Sequence, residues 1–245
     1  MGVELRILQI SLLVFFSASV SLLYFSQPAG SAVGVKQIKY DVLTRGFRIG
    51  KVISSQKVTN EEGQKVVHFA NKTDVNTSFL WLRCNISSSE QATIKGEKLV
   101  SYSRQEKTKG VDVSVTGRLK DGHFRFDVSE NGRKRSIVIP SSSYDYTTME
   151  CPEATMDFKP DGRKTVRILD PEFMEVVERN YRLVREDTIK VDGKEFHCRI
   201  IDFKDPHKSC RRWIGVDHDT IIMFRQDGKS KEGSYTVQAV ALDHI

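Results

Sequence analysis

"VDVSVTGRLKDGHFRFDVSENG", residues 111–132, decides the fold. Val111, Val113 and Val115 alternate with polar neighbours, and Phe124, Phe126 and Val128 then alternate with His123, Arg125 and Asp127. A period of two places the apolar set on one face of a strand and the polar set on the other. Asp121-Gly122 separates the two runs and Asn131-Gly132 closes the second. Such dipeptides tolerate the positive φ angles of type I′ turns, whose twist matches that of the flanking strands. The stretch therefore reads as successive antiparallel hairpins with one packed face and one wet face.

The same punctuation recurs at Asp161-Gly162, Asp192-Gly193 and Asp227-Gly228, and "SYTVQAVAL" (234–242) repeats the alternation with Tyr235, Val237, Ala239 and Ala241. One stretch breaks it. "DPEFMEVVERNY" (170–181) offers Asp as an N-cap, Pro at the first helical position, and Phe173, Met174, Val176 and Val177 at helical spacing. The expectation is an all-β protein: an antiparallel meander forming a curled sheet or half-barrel, with one short helix near 171–180. The curled form is preferred to a flat one because a single helix is too little to cover a broad sheet. A closed barrel and a sandwich are the other arrangements such a meander can take.

Hydrophobic content of 39% and charged content of 29% fit a folded body rather than a disordered chain. The net charge is +6, and Lys and Arg are interleaved with Asp and Glu nearly throughout. Arg133-Lys134-Arg135 is the densest basic run and follows the Asn131-Gly132 turn, as a solvated hairpin end does. No recognition motif accompanies the charge, so no nucleic-acid partner is expected. Residues 7–25 form an uncharged stretch of nineteen residues, followed by "SQPAGSAVG". Residues 1–32 are thus expected to be a signal peptide or an N-terminal membrane anchor, and 33–245 a single β domain outside the cytoplasm. Membrane association would run through residues 7–25. No Cys follows the stretch, which excludes a lipoprotein anchor there.

The best chemical lead is "HCRIIDFKDPHKSC" (197–210). An even number of cysteines in an exported chain points to disulfides, and the simplest pairing is Cys198–Cys210 with Cys84–Cys151. Register sets the condition. A loop of about five residues centred on Lys204 puts Cys198 opposite Cys210, whereas a tight turn at Pro206-His207 sets Cys198 against Gly215 and Cys210 against Phe203, on opposite faces. A metal reading would combine Cys198, Cys210 and His207 with His197 or His218, but paired close spacings are missing. No C-x-x-C motif supports redox catalysis.

In "YDYTTMECPEATMDF" (144–158), Tyr144, Tyr146, Asp145, Glu150, Glu153 and Asp157 sit close in sequence. Two carboxylates beside a pocket can do acid–base work, and the competing reading is a loop shaped by Pro152. Arg211, Arg212 and Trp213 are candidate ligand or surface contacts, as are Tyr144 and Tyr146, because Trp and Arg suit a glycan or a lipid headgroup; Trp213 reads equally as a core anchor. Asn71, Asn76 and Asn85 head glycosylation sequons, relevant only in a eukaryotic source.

"YDVLTRGFRIGKV" (40–52), "LKDGHFRFDVSENG" (119–132) and the C-terminal "CRRWIGVDHDTIIMFRQDGK…YTVQAV" together resemble uncharacterised exported β-sheet families of bacteria, domains of unknown function distantly similar to the LolA/LolB half-barrel lipoprotein carriers. The resemblance covers most of residues 38–240 and implies an envelope location and a half-barrel. It implies no catalytic residue. The segments "MECPE" and "FHC…CRRW" depart from it. The expected function is therefore that of a non-enzymatic periplasmic protein binding a lipid or other apolar ligand in its curled sheet. The alternatives are an envelope interaction module with a basic surface, and a metal-binding or hydrolytic protein using Cys/His or the Tyr144–Glu153 cluster. No cofactor is expected.

Overall fold

The computed structural model describes residues 33–79, 82–108, 110–159, 162–217, 220–230 and 233–244. The expected signal or anchor segment, 1–32, lies outside them. The first half of the chain supplies β1 (Val33–Thr44), β2 (Phe47–Glu61), β3 (Gln64–Phe79), β4 (Leu82–Lys95), β5 (Lys98–Thr108), β6 (Val111–Lys120), β7 (His123–Glu130) and β8 (Arg133–Pro140). The second supplies β9 (Tyr146–Thr147), β10 (Arg163–Asp170), β11 (Glu175–Val191), β12 (Lys194–Lys204), β13 (Ser209–Asp217), β14 (Thr220–Ser230) and β15 (Gly233–His244).

These strands form one curled sheet that does not close. Its order runs from β8 back through β1, across to β15, and down to β9. β1 and β15 pair antiparallel, Val42 opposite Val237, so the two ends of the described chain meet in mid-sheet. The break lies between the edges β8 and β9. Two-residue hairpin loops explain the meander. Asp121-Gly122, Asn131-Gly132 and Asp192-Gly193 all take positive φ at both positions, as their sequence signature requires. Arg45-Gly46, Glu62-Gly63 and Gly96-Glu97 do the same without that signature. Asp227-Gly228 is no turn: it lies inside β14, where Gly228 faces Tyr235, and a Cβ there would come within 2.2–2.5 Å of the Tyr235 ring. Glycine is used at 228 for close approach, not for turning.

The expected helix at 171–180 is absent. Pro171–Met174 is a four-residue turn, closed by Asp170 opposite Glu175, and β11 begins at once. Val177, Arg179 and Tyr181 are its inward-facing residues. The buried Arg179 breaks the apolar alternation, so a strand looked helical. The helical turns lie instead in the link between β8 and β10: three 3-10 segments at Ser141–Ser143, Thr148–Glu150 and Pro152–Ala154. β9, in the same link, pairs parallel to β10, with Tyr146 opposite Ile168.

That link fills the curl. Met149 packs with Ala92, Tyr102, Phe124 and Phe126 on one wall, while Ala154 and Met156 pack with Ile168, Tyr181, Phe203 and Ile214 on the other. The end of the β13–β14 hairpin also leans inward. The Gln56 amide donates to the Ile221 carbonyl at 2.8 Å, and the Lys36 ammonium pairs with Asp217. Among the described residues no helix is long and apolar enough to cross a membrane.

Candidate functional site

The interior holds charge. Where the β10–β11 turn meets the β12–β13 turn, the Asp170 carboxylate accepts from Lys208 Nζ at 3.2 Å and from Arg179 Nη2 at 3.4 Å. Asp205 accepts from Arg179 Nε at 2.9 Å, and its other oxygen takes the backbone N–H groups of His207 and Lys208 at 2.9 and 3.0 Å. All four side chains are buried. Burial pushes the Asp170 carboxyl up, but Lys208 and Arg179 outweigh it and hold it below the ordinary range. Glu172, beside them, goes the other way: burial raises it to about 8 against the pull of Lys208, and the Asp170 charge adds to the rise.

A second buried group lies on the other side of Phe203. Arg212 pairs with Glu153, and its Nε donates to Gln226 Oε1 at 2.6 Å. The Gln226 amide donates to the Tyr235 hydroxyl at 2.9 Å, with the Cys210 thiol 3.6 Å from that oxygen. Phe203 joins the two groups, with the Arg179 guanidinium 4.5 Å from its ring centre and that of Arg212 at 4.7 Å. A cation over an aromatic face is favourable when desolvated. A third pair, the Tyr102 hydroxyl donating to Glu90 at 2.6 Å, lies on the opposite wall. Between them remains a cavity of about 50 Å³ lined by Gln56, Asn71, Glu90, Thr148, Cys151 and Arg212 among others. That is room for a few waters, not an acyl chain.

This geometry separates the residues that the sequence places together. Asp145 turns outward to Arg167 at 2.7 Å, Glu153 turns inward to Arg212, and Glu150 accepts from the Thr147 hydroxyl at 3.1 Å. Burial raises Glu150 to about 7 and Tyr144 above its ordinary value. Tyr146 packs against the Ile168–Phe203 wall. The Tyr144–Glu153 stretch therefore does not converge on one reacting centre.

Cys151, Cys198 and Cys210 are free thiols, so neither expected disulfide forms; the Cys84 side chain lies outside the described residues. The tight-turn register explains the first pair. Phe203 lies opposite Cys210, and Arg199 opposite Ile214, so Cys198 falls on the other face of the ribbon. Burial raises the Cys151 thiol to about 12 and that of Cys198 to about 11, which keeps both protonated and unreactive at neutral pH. Among the described residues no group of three His, Cys, Asp or Glu could hold a metal ion. His207 pairs with Glu175 and stacks on Phe173 at 3.9 Å, His197 lies 3.4 Å from Glu186, and His218 is outside the described residues. Of the sequons, Asn71 is buried while Asn76 and Asn85 are exposed.

The residues 211–213 divide by face. Arg212 points into the core, while Trp213, half-buried, packs with the cluster of Cys198 and Phe224 under the Arg225 guanidinium 5.0 Å away. Arg211 is exposed in a broad groove of about 1150 Å³ running over β10 to β15 and the β1–β2 turn. Seven Lys and Arg side chains line it against two carboxylates, Asp202 and Asp227. Those two are already engaged. Asp202 takes Arg211 at 2.6 Å and Arg182 at 2.7 Å, which hold it below the ordinary carboxylate range against its burial. Asp227 takes Arg225 at 2.9 Å. Arg45, Lys204 and Lys229 have no carboxylate partner among the described residues.

Asp170, Glu172, Arg179, Asp205 and Lys208 carry no sequence motif. Their one signal is parity, a charged residue at an inward position of a strand or at the turn closing it, as Arg179 between Val177 and Tyr181.

No family model matches the chain, and no curated protein matches it. A solved structure shares its architecture: the crystal structure of a β-barrel-like protein of domain of unknown function DUF1849 from Brucella abortus. It is 12% identical, the match covers 87% of this chain and 98% of that one, and the TM-score is 0.58. At that identity the likeness is one of fold. It agrees with an uncharacterised β-barrel-like domain.

Proposed function

We propose that this chain is a non-enzymatic binding module of the bacterial envelope, and that its basic groove holds an anionic envelope component. The observation that supports the reading is the charge of the groove: seven cations face two acids, and those acids are already saturated by three of the cations. A surplus of positive potential in a concave surface attracts anions and raises their local concentration. A carrier of the LolA/LolB kind would need a hollow for an acyl chain. Here Met149, Ala154 and Met156 of the link after β8 pack inside the curl, and the buried acids and bases neutralise one another, which favours a ligand surface on the outer face. The N-terminal apolar stretch would deliver the module to the envelope or tether it there.

Two probes test this: vesicles of phosphatidylglycerol against phosphatidylcholine, and heparin as an anionic glycan. The expected result is binding to at least one anionic probe, weakened by salt and lost in the triple variant Arg45→Glu, Lys204→Glu, Lys229→Glu. At roughly 1 kcal/mol for each basic residue near an anionic surface, neutralising three weakens binding about a hundredfold, and reversal weakens it further. Equal binding by native and variant protein, or no binding to either probe, overturns the reading.

A further inference from the structure

We infer that β8 is a docking edge that accepts an extended acidic segment of another protein as a further strand of the sheet. The inference concerns a different surface from the groove and does not depend on it. β8 ends the sheet and pairs only with β7, while the other edge, β9, is two residues long. The hairpin register fixes which backbone groups are free. Glu130 lies opposite Arg133 across a two-residue turn, so Arg133, Arg135, Ile137 and Ile139 exchange hydrogen bonds with β7. The Ser141 N–H continues that phase by donating to the Gly122 carbonyl at 2.8 Å. Lys134, Ser136 and Val138 therefore direct three N–H and three C=O groups away from the sheet. None of these has a backbone partner among the described residues.

The side chains say what kind of strand fits. Arg133, Lys134 and Arg135 are exposed, and none has a carboxylate partner among the described residues. Elsewhere on this surface arginines find one, as Arg125 does with Asp127 and Arg167 with Asp145. Val138 is 54% exposed, on the same outer face as Lys134 and Ser136 and three residues beyond Arg135. An incoming strand would thus set acidic residues beside 133–135 and an apolar residue beside Val138, with main-chain bonds giving affinity and the side chains register. A second copy of β8 is a poor occupant, because it adds three more cations to the edge and supplies no carboxylate to pair with Arg133, Lys134 or Arg135. Lysine on an edge also discourages like-charged neighbours, which turns the same residues into a filter for acidic ones.

The probe is a fluorescein-labelled peptide, acetyl-EEVTVEV-amide, against its KKVTVKV counterpart. The expected result is saturable binding of the acidic peptide alone. Amide hydrogen exchange at Lys134, Ser136 and Val138 slows on saturation, and affinity falls at least tenfold in Arg133→Ala, Lys134→Ala, Arg135→Ala. Val138→Pro removes an outward N–H that no ladder bond uses, so it leaves the β7 pairing intact and weakens binding at least tenfold. Should Val138→Pro perturb folding, a peptide N-methylated at alternate residues removes the same bonds from the other side. Unchanged exchange at the three amides under saturating peptide, or equal affinity for the N-methylated peptide, overturns the inference. The groove variant with Arg45, Lys204 and Lys229 reversed binds the peptide as the native protein does, so the two surfaces fail or succeed separately.

Discussion

Replacing Arg212 by Met tests whether the interior is a set of mutually neutralised charges. Arg212 is buried between Glu153, Gln226 and the Phe203 ring, and Glu153 is itself fully buried. Methionine keeps the unbranched stem but strands the carboxylate. Breaking a buried pair by removing one partner costs about 3–5 kcal/mol. A second route gives the same size: an interior glutamate relieves itself by taking up a proton, which for a carboxyl of ordinary acidity costs about 3.7 kcal/mol at pH 7. The same step costs only about 1 kcal/mol at pH 5. Urea denaturation of the native protein and Arg212→Met should therefore differ by about 4 kcal/mol at pH 7 and by about 1 kcal/mol at pH 5. Adding Glu153→Leu to Arg212→Met should recover most of the loss, since removing both partners is far less costly than removing one. A destabilisation that is the same at both pH values, or that the second substitution deepens, refutes the buried-pair account and points to lost packing alone.

Glu172 sets a pH dependence of definite sign. Its folded value of about 8 exceeds the ordinary 4.5, so the folded state keeps a proton that the unfolded chain gives up. The contribution of Glu172 to stability is then greatest below pH 4.5 and declines as the pH rises to 8, by up to about 5 kcal/mol, with Glu150 adding the same sign between 4.5 and 7, while carboxylates held low, such as Asp170 and Asp202, act with the opposite sign in acid. Urea midpoints of Glu172→Gln between pH 5 and 9 should show a shallower decline than the native protein, and identical profiles would count against the buried neutral carboxyl. Gly228→Ala should lower stability by about 1–3 kcal/mol, because the added methyl meets the Tyr235 ring. Thermal melting checks this, and a Tm within about one degree of native would show that the ring moves aside freely.

Much of the fold was legible in residues 111–132 because each of its signals is local. The alternation of Phe124, Phe126 and Val128 depends only on neighbours, and Asn131-Gly132 reports its own backbone angles. Misreading began where burial served charge. Arg179 occupies an inward position that hydrophobicity would give to Leu or Val, which removes the period-two signal from β11, while Asp170 caps the β10–β11 turn through the Glu172 N–H at 3.1 Å and not a helix. Gly228 carried a turn signature, yet its role is set by the Tyr235 ring on the neighbouring strand.

The sequence by itself determined the class of architecture, the hairpin turns with Asn-Gly and Asp-Gly, and the two alternatives for the cysteines of "HCRIIDFKDPHKSC". The tertiary structure decided between those alternatives. The β12–β13 turn closes at Asp205 and Lys208 because the Asp205 carboxylate is anchored by Arg179 from the next strand, and that register sends Cys198 and Cys210 to opposite faces. It also decided that the curl is filled, that its charges face one another, and that free cations lie on the outer groove and the β8 edge. Periodicity along a strand says which residues share a face; only the closing of the sheet on itself says which strands those faces meet.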